Sequence, residues 1–240
     1  MEIKMLELIT GAKEATGLTV IIDVFRAFST ACYAFRNGAE KIVPIGNIER
    51  AYQLKKEHPD YILMGERGGI MQPGFDYGNS PSRIEHIDFS GATIVQTTSA
   101  GTQGFANARN ADEMISGSFV NADAIVKYIR EKNPPVVSLV SMGTAGKTPN
   151  DEDRLLAEYL KNKLRGHSVD FIKMKEHLKT YESARKFFDP NIDWAPEHDF
   201  ELCMKLNAVD FILRAEKCDG NLICLDRKST RLNSSHRYVS

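Results

Sequence analysis

LTVIIDVFRAFSTACYAFRNGAEKIVPI, Leu18 to Ile45, is the stretch on which the fold turns. Leu18–Val24 is an aliphatic run of strand length that barely alternates with polar residues, the pattern of a strand covered on both faces. Ser29–Asn37 then has helical length and stops at Gly38, and Lys41–Ile45 follows as a second strand. Working outward, further strand-length runs fall at Tyr61–Met64, Thr93–Thr97, Val136–Met142 and Val209–Leu213. Helix-length segments alternate with them: Ile48–Glu57 before Pro59, Gln103–Arg109, Ala122–Lys132 before Pro134, and Asp151–Arg165 ending at Gly166. This alternation predicts an α/β fold, a three-layer α/β/α architecture with a largely parallel or mixed sheet, whose ligands gather beyond the carboxyl ends of the strands. A helical stretch, Glu176–Phe188 and then Pro196–Ala208, precedes a final pair of short strands, predicted as an antiparallel edge.

At 240 residues the chain can bury a core without help from disulfides or metal. One large domain over residues 1–225, or two intimate lobes, fits that length. The last fifteen residues, DRKSTRLNSSHRYVS, lose periodicity and turn basic, so 226–240 is set apart as a non-native or disordered tail. Without its Arg227, Lys228, Arg231 and Arg237 the body is net acidic, which argues against nucleic-acid binding. No apolar run approaches the ~20 residues of a membrane span, and the N-terminus lacks the apolar centre of a secretory signal. A cytoplasmic location is the default expectation, as is a symmetric homo-oligomer. Cys32, Cys203, Cys218 and Cys224 have no metal or redox spacing and read as buried thiols.

The candidate chemistry follows the strands. In VIIDVFRAFST, Val20 to Thr30, Asp23 closes an aliphatic strand and Arg26 follows at a helix start. A buried ion pair or cap explains the two as well as catalysis does, but Asp23 is also placed to hold Mg²⁺, which takes one or two carboxylates and completes its shell with water and phosphate. GERGGIMQPGFDYGNSPSR, Gly65 to Arg83, is too long and too apolar for an idle loop, and reads as an ordered active-site loop. Within it Glu66 and Asp76 can serve a cation, and Arg67 can fork onto phosphate, sulfonate or carboxylate. IVQTTSAGTQG, Ile94 to Gly104, runs from a strand through Thr97, Thr98, Ser99, Gly101 and Thr102 into a helix, a candidate cradle for an anion or an ordinary N-cap. Ser118 in GSFVNAD adds a hydroxyl, for which capping with Asn121 is the simpler account. VSMGTAGKTPNDED, Val140 to Asp153, has Ser141 and Pro149 where a phosphate-binding nucleotide loop needs glycine and helix, and its acids either complement a helix dipole or serve metal.

Taken together and in order, VIIDVFRAFSTACYAFRNGA, GERGG, GFDYGNSP, TTSAGT, GSFVNAD and the acidic DED resemble the 2-phosphosulfolactate phosphatase family. The resemblance runs from about Val20 to Ala157, with a weaker echo in PEHDFELCMKLNAVDF, Pro196 to Phe211. It implies Mg²⁺-dependent hydrolysis of 2-phospho-3-sulfolactate to sulfolactate and phosphate, a step toward coenzyme M. The chain departs from the family at Phe25, near Phe28, and at Ala100, where the family carries Asn.

The expectation that results has Asp23, Glu66 and Asp153 holding Mg²⁺, and Arg26 and Arg67 neutralising charge. Asp76 and Asn79 orient the site, while the Thr97–Thr102 loop and Ser118 meet a small phosphorylated, sulfonated or carboxylated substrate. Attack by water and an aspartyl-phosphate route through Asp23 use the same carboxylate. A phosphatase for another phosphorylated hydroxy acid, or an anion-binding module without catalysis, are the alternatives.

Overall fold

The computed structural model of the chain describes residues 1–218 and 222–229. The strands are β1 (Glu2–Glu7), β2 (Gly17–Ile22), β3 (Lys41–Pro44), β4 (Ile62–Gly65), β5 (Thr93–Thr97), β6 (Ala111–Gly117), β7 (Val136–Ser141), β8 (Phe211–Lys217) and β9 (Ile223–Ser229). They form one mixed sheet in the order β1-β7-β2-β6-β8-β9-β3-β5-β4. The helices are α1 (Leu8–Glu14), α2 (Ala27–Arg36), α3 (Ile48–Glu57), α4 (Pro81–Ile84), α5 (Gly101–Asn107), α6 (Ala122–Lys132), α7 (Asp151–Leu164), α8 (Phe171–Leu178), α9 (Glu182–Arg185) and α10 (Glu197–Cys203). None of the described helices is long and apolar enough to cross a membrane.

Side-chain alternation along buried strands creates the layers. In β2, Ile21 joins a core shared with α1, α2 and α5, while Leu18, Val20 and Ile22 join a second core shared with α6 and α7. The same second core takes in Leu178, Ala184 and Phe200 from α8, α9 and α10. A third core under α3 gathers Val43, Leu63 and Val95 with Ala51 and Leu54. The α/β architecture is therefore built on two parallel half-sheets, β1-β7-β2-β6 and β3-β5-β4.

What joins the halves differs from the expectation. β8 and β9 are antiparallel to each other, but they occupy the middle of the sheet rather than an edge, β8 beside β6 and β9 beside β3. Phe211, Ile212, Leu213, Cys224 and Leu225 are all buried, and two strands so apolar have no place at a solvated edge. The edges fall instead to β4 and to β1, whose Glu2, Lys4 and Glu7 suit water. β9 also takes in Asp226–Ser229, the first residues of the segment set apart as a tail, since those backbones pair with Phe211–Arg214. Residues 230–240 lie outside the described residues. Cys218 and Cys224 are paired in a disulfide, their Cα atoms 5.9 Å apart, instead of standing as two thiols; Cys32 and Cys203 are buried and free. The helical stretch Glu176–Phe188 is broken into α8 and α9 by a turn at Lys179–Tyr181.

Candidate active site

Asp23 directly follows β2, Glu66 follows β4, and the turn Thr98–Ala100 follows β5, so three strand ends deliver their residues to one place. Asp23 Oδ2 accepts the Gly101 amide at 2.7 Å and Oδ1 the Ala27 amide at 3.4 Å. Glu66 Oε1 accepts the Ser99 amide at 2.7 Å, and Oε2 accepts the Gly69 amide at 2.7 Å and the Ser99 hydroxyl at 3.0 Å. Two carboxylates from opposite half-sheets thus converge on the Ser99–Gly101 turn. Gly65 allows it: at φ +143 a side chain would drive its Cβ into the Thr97 carbonyl. The turn predicted to cradle a ligand anion is largely occupied by the protein's own anions. Thr98 and Thr102 hydroxyls each accept the other's amide at 3.2 Å, and Thr97, Thr98 and Thr102 are buried behind the turn. Ser99 and Ala100 face the cavity.

The arginines are braces. Arg26 Nη1 donates to the Trp194 carbonyl at 2.6 Å and to Asp199 at 3.1 Å, Nη2 donates to the Gly69 carbonyl at 3.2 Å, and the guanidinium lies over the Trp194 ring. Asp199, fully buried, also accepts the Ser80 hydroxyl, the Ser82 amide and the Ser82 hydroxyl. The GNSPS segment is therefore held by a carboxylate from α10. Gly69, at φ +86, packs so closely under Trp194 that any Cβ would enter the indole ring. Arg67 donates to the carbonyls of Glu66 and Gly46 and to the Thr97 hydroxyl, and it does not line the cavity. Its donors are committed to protein oxygens, contrary to the expected fork onto substrate.

The acids of α7 divide their work. Asn150 caps the helix by accepting the Asp153 amide at 3.2 Å. Asp153 turns inward, accepting the Val24 amide at 2.8 Å and the Gly143 amide at 2.9 Å, and so ties the ends of β2 and β7 together. It stands behind the cavity, and its neighbour Glu152 lines it. Glu152 Oε1 accepts the Asn150 side-chain amide at 2.8 Å, while Oε2 is buried without a hydrogen bond of normal geometry, although the Ser183 hydroxyl is near enough to favour the Glu152 charge. Asn79 Oδ1, from another lining residue, is likewise buried and unpaired.

The cavity, about 370 Å³, is walled by Asp23, Glu66, Glu152, Asn79, Arg26 and Lys186, with Phe25 and Trp194 among its apolar lining. Burial pushes the Asp23 carboxyl up to about 7 and the Glu66 charge adds to it, while the Gly101 and Ala27 amides pull the other way. Burial also raises Asp153 well above the usual carboxylate range, reinforced by the charges of Asp23 and Glu152, and it raises Glu152. Crowded carboxylates and two unpaired oxygen acceptors are a donor set that suits a hard cation. Among the described residues no group of three or more His, Cys, Asp or Glu side chains is placed to hold a metal ion directly, so a Mg²⁺ ion fits only if these acids reach it in part through its bound waters and substrate oxygens complete its shell.

Asp23, Arg26, Glu66, Asn79 and Ser99 of the sequence-predicted residues line one cavity. Others lie elsewhere. Asp76 is near the surface, accepting the Leu63 amide at 2.8 Å and facing Lys55. Ser118 is buried in a capping box with Asn121. Gly101 contributes its amide to Asp23. Sequence reasoning missed Glu152 as the cavity-facing acid, and it missed Lys186, Trp194 and Asp199 altogether. Asp199 lay within the quoted PEHDF segment, and Trp194 is the chain's one tryptophan; Lys186 carried no signal.

A family model described as 2-phosphosulpholactate phosphatase matches residues 4–217. Proteins named probable 2-phosphosulfolactate phosphatase are similar to the chain. The one from Bacillus subtilis is 31% identical over 213 residues, covering 88% of this chain and 91% of that protein. That from Thermoplasma acidophilum is 34% identical over 206 residues, covering 86% and 88%. That from Thermotoga maritima is 40% identical over 196 residues, covering 77% and 82%.

Proposed function

Because the chain belongs to the 2-phosphosulpholactate phosphatase family, we propose that it hydrolyses 2-phospho-3-sulfolactate to 3-sulfolactate and inorganic phosphate in this cavity, with Mg²⁺ as cofactor. Membership makes it a phosphoric monoester hydrolase. The observation that carries the reading is the convergence of Asp23 and Glu66, from opposite half-sheets, on the Ser99–Gly101 turn beside the unpaired oxygens of Glu152 and Asn79.

Asp23, Glu66 and Glu152, with the Asn79 carbonyl oxygen, are the groups that would hold Mg²⁺; Glu152 takes the part expected of Asp153. Bound there, Mg²⁺ supplies positive charge against the phosphoryl oxygens. The protein's own residues do the positioning. Gly101 and Ala27 amides fix the Asp23 carboxylate, and Asp153 fixes the backbone on which Asp23 stands. Arg26 keeps the Gly69 loop and Trp194 together, so the cavity keeps its shape as substrate enters. Phe25 and Trp194 exclude bulk water from part of the wall, which strengthens every charge interaction inside. The sulfonated hydroxy acid released is of the kind used in coenzyme M biosynthesis, and that pathway, in the cytoplasm, is the proposed setting.

The test is phosphate release from 2-phosphosulfolactate, phospholactate and phosphoglycolate, with Mg²⁺ and with chelator. The expected result is the highest kcat/KM with 2-phosphosulfolactate, lost in chelator and restored by Mg²⁺. A higher value with another ester moves the activity to that phosphorylated hydroxy acid, and release indifferent to chelator removes the metal. Binding of all three esters without phosphate release would make the chain an anion-binding module.

A further inference from the structure

Two cations line the cavity, and they are held in opposite ways. Arg26 is tied to two carbonyls and to the buried Asp199 carboxylate. Lys186, just past α9, lies with its ammonium 5.8 Å from the centroid of the Phe25 ring and 5.2 Å from that of Phe187. Among the described residues that ammonium has neither a salt bridge nor a hydrogen bond. Burial lowers the Lys186 pKa below the ordinary lysine value and Arg26 adds to that, while the Glu152 and Asp23 carboxylates act the other way. Lys186 therefore brings an ammonium group with uncommitted N–H donors to a cavity whose other ionisable lining groups are three acids and one committed arginine.

A phosphorylated hydroxy acid carries a second anion that takes no part in phosphoryl transfer. The acidic side of the cavity repels that group, and Arg26 is already committed. We propose that Lys186 binds this second anion, the carboxylate or sulfonate of the substrate, and so sets the enzyme's preference for phosphorylated acids over phosphate esters without one. The proposal rests on the phosphatase reading for the identity of the reacting group, but the binding itself needs no turnover. The aromatic faces of Phe25 and Phe187 flank the lysine, which makes Lys186→Met a fitting probe: the stem keeps its packing and the charge is lost.

In the full chain, Lys186→Met is expected to lower kcat/KM for 2-phosphosulfolactate by about tenfold or more, chiefly through KM, and to change glycerol 2-phosphate hydrolysis by less than about twofold. Lys186→Arg, which keeps the charge, should restore most of the loss. A loss confined to the sulfonated ester assigns the sulfonate, and an equal loss with 2-phospholactate assigns the carboxylate. Equal losses on all esters, glycerol 2-phosphate included, or no loss on any, would overturn the proposal. If the unaltered chain releases phosphate from no ester, the phosphatase reading fails separately, and calorimetry with 3-sulfolactate decides the role of Lys186. Weaker binding in Lys186→Met with phosphate binding unchanged supports it; identical affinities, or no binding by the unaltered chain, refute it.

Discussion

At the carboxyl ends of β2, β4 and β5 the acids are gripped by backbone: Asp23 by the amides of Gly101 and Ala27, Glu66 by those of Ser99 and Gly69. The helical segment 171–203 contributes to the same cavity by other means. Its Asp199 reaches Arg26, Ser80 and Ser82, its Trp194 covers Gly69, and its Lys186 lies against two rings. The difference separates two kinds of dependence. Backbone grips survive a substitution that keeps side-chain shape, so the chemistry of the strand-end wall can be altered without moving it. Contacts made by side chains vanish with the side chain, so the helical segment can be unmoored by one change.

The largest effect should come from altering the strand-end wall without disturbing it. Asp23→Asn keeps the shape and one acceptor for the Gly101 amide, and kcat for phosphate release should fall by roughly 10³-fold while the thermal midpoint shifts by only a few degrees. Turnover equal to that of the unaltered chain would remove Asp23 from the chemistry. The converse experiment is Asp199→Ala, which leaves Arg26 buried without its carboxylate and strips acceptors from Ser80 and Ser82. Urea unfolding should show a loss of about 3–5 kcal/mol. A loss under about 1 kcal/mol would mean that the helical segment is held by its apolar contacts and not by this pair. The smallest effect is expected at Arg67. Arg67→Lys gives up the planar fork that spans the Gly46 and Glu66 carbonyls and the Thr97 hydroxyl, costing about 1–2 kcal/mol of stability, with KM within roughly twofold because the side chain lies outside the cavity. A tenfold rise in KM would place Arg67 in contact with substrate after all.

The same contrast explains what could be read in advance. β2, β5, α3 and α6 were legible because aliphatic runs, Pro and Gly stops and caps are local signals. Asp23 and Glu66 were legible because acids at the ends of such strands are costly and so conspicuous. β1 escaped notice because Glu2, Lys4 and Glu7 give it the polarity of an edge, and β6 because ADEMISG opens with charges. The central position of β8 and β9 depends on strand order, which pairs residues far apart in sequence and leaves no local mark. On α7 the reading chose Asp153 over Glu152; adjacent helical residues point about 100° apart, and only packing against the Val24 and Gly143 amides decides which turns inward. Arg67 looks like a substrate ligand in the sequence because two of its three acceptors, Thr97 and Gly46, come from distant parts of the chain. Lys186 belongs to a helical segment without a motif, and its relevance emerges only when that segment packs against Phe25 at the cavity wall.

The account stands or falls on whether the acids at the strand ends share one cation. Calorimetric titration of Mg²⁺ into the unaltered chain and into Asp23→Asn and Glu152→Gln, each with inorganic phosphate present, measures this directly. A single Mg²⁺ site in the unaltered chain, weakened by about tenfold or more in each variant, is the predicted result. Mg²⁺ affinity that neither substitution changes would contradict it.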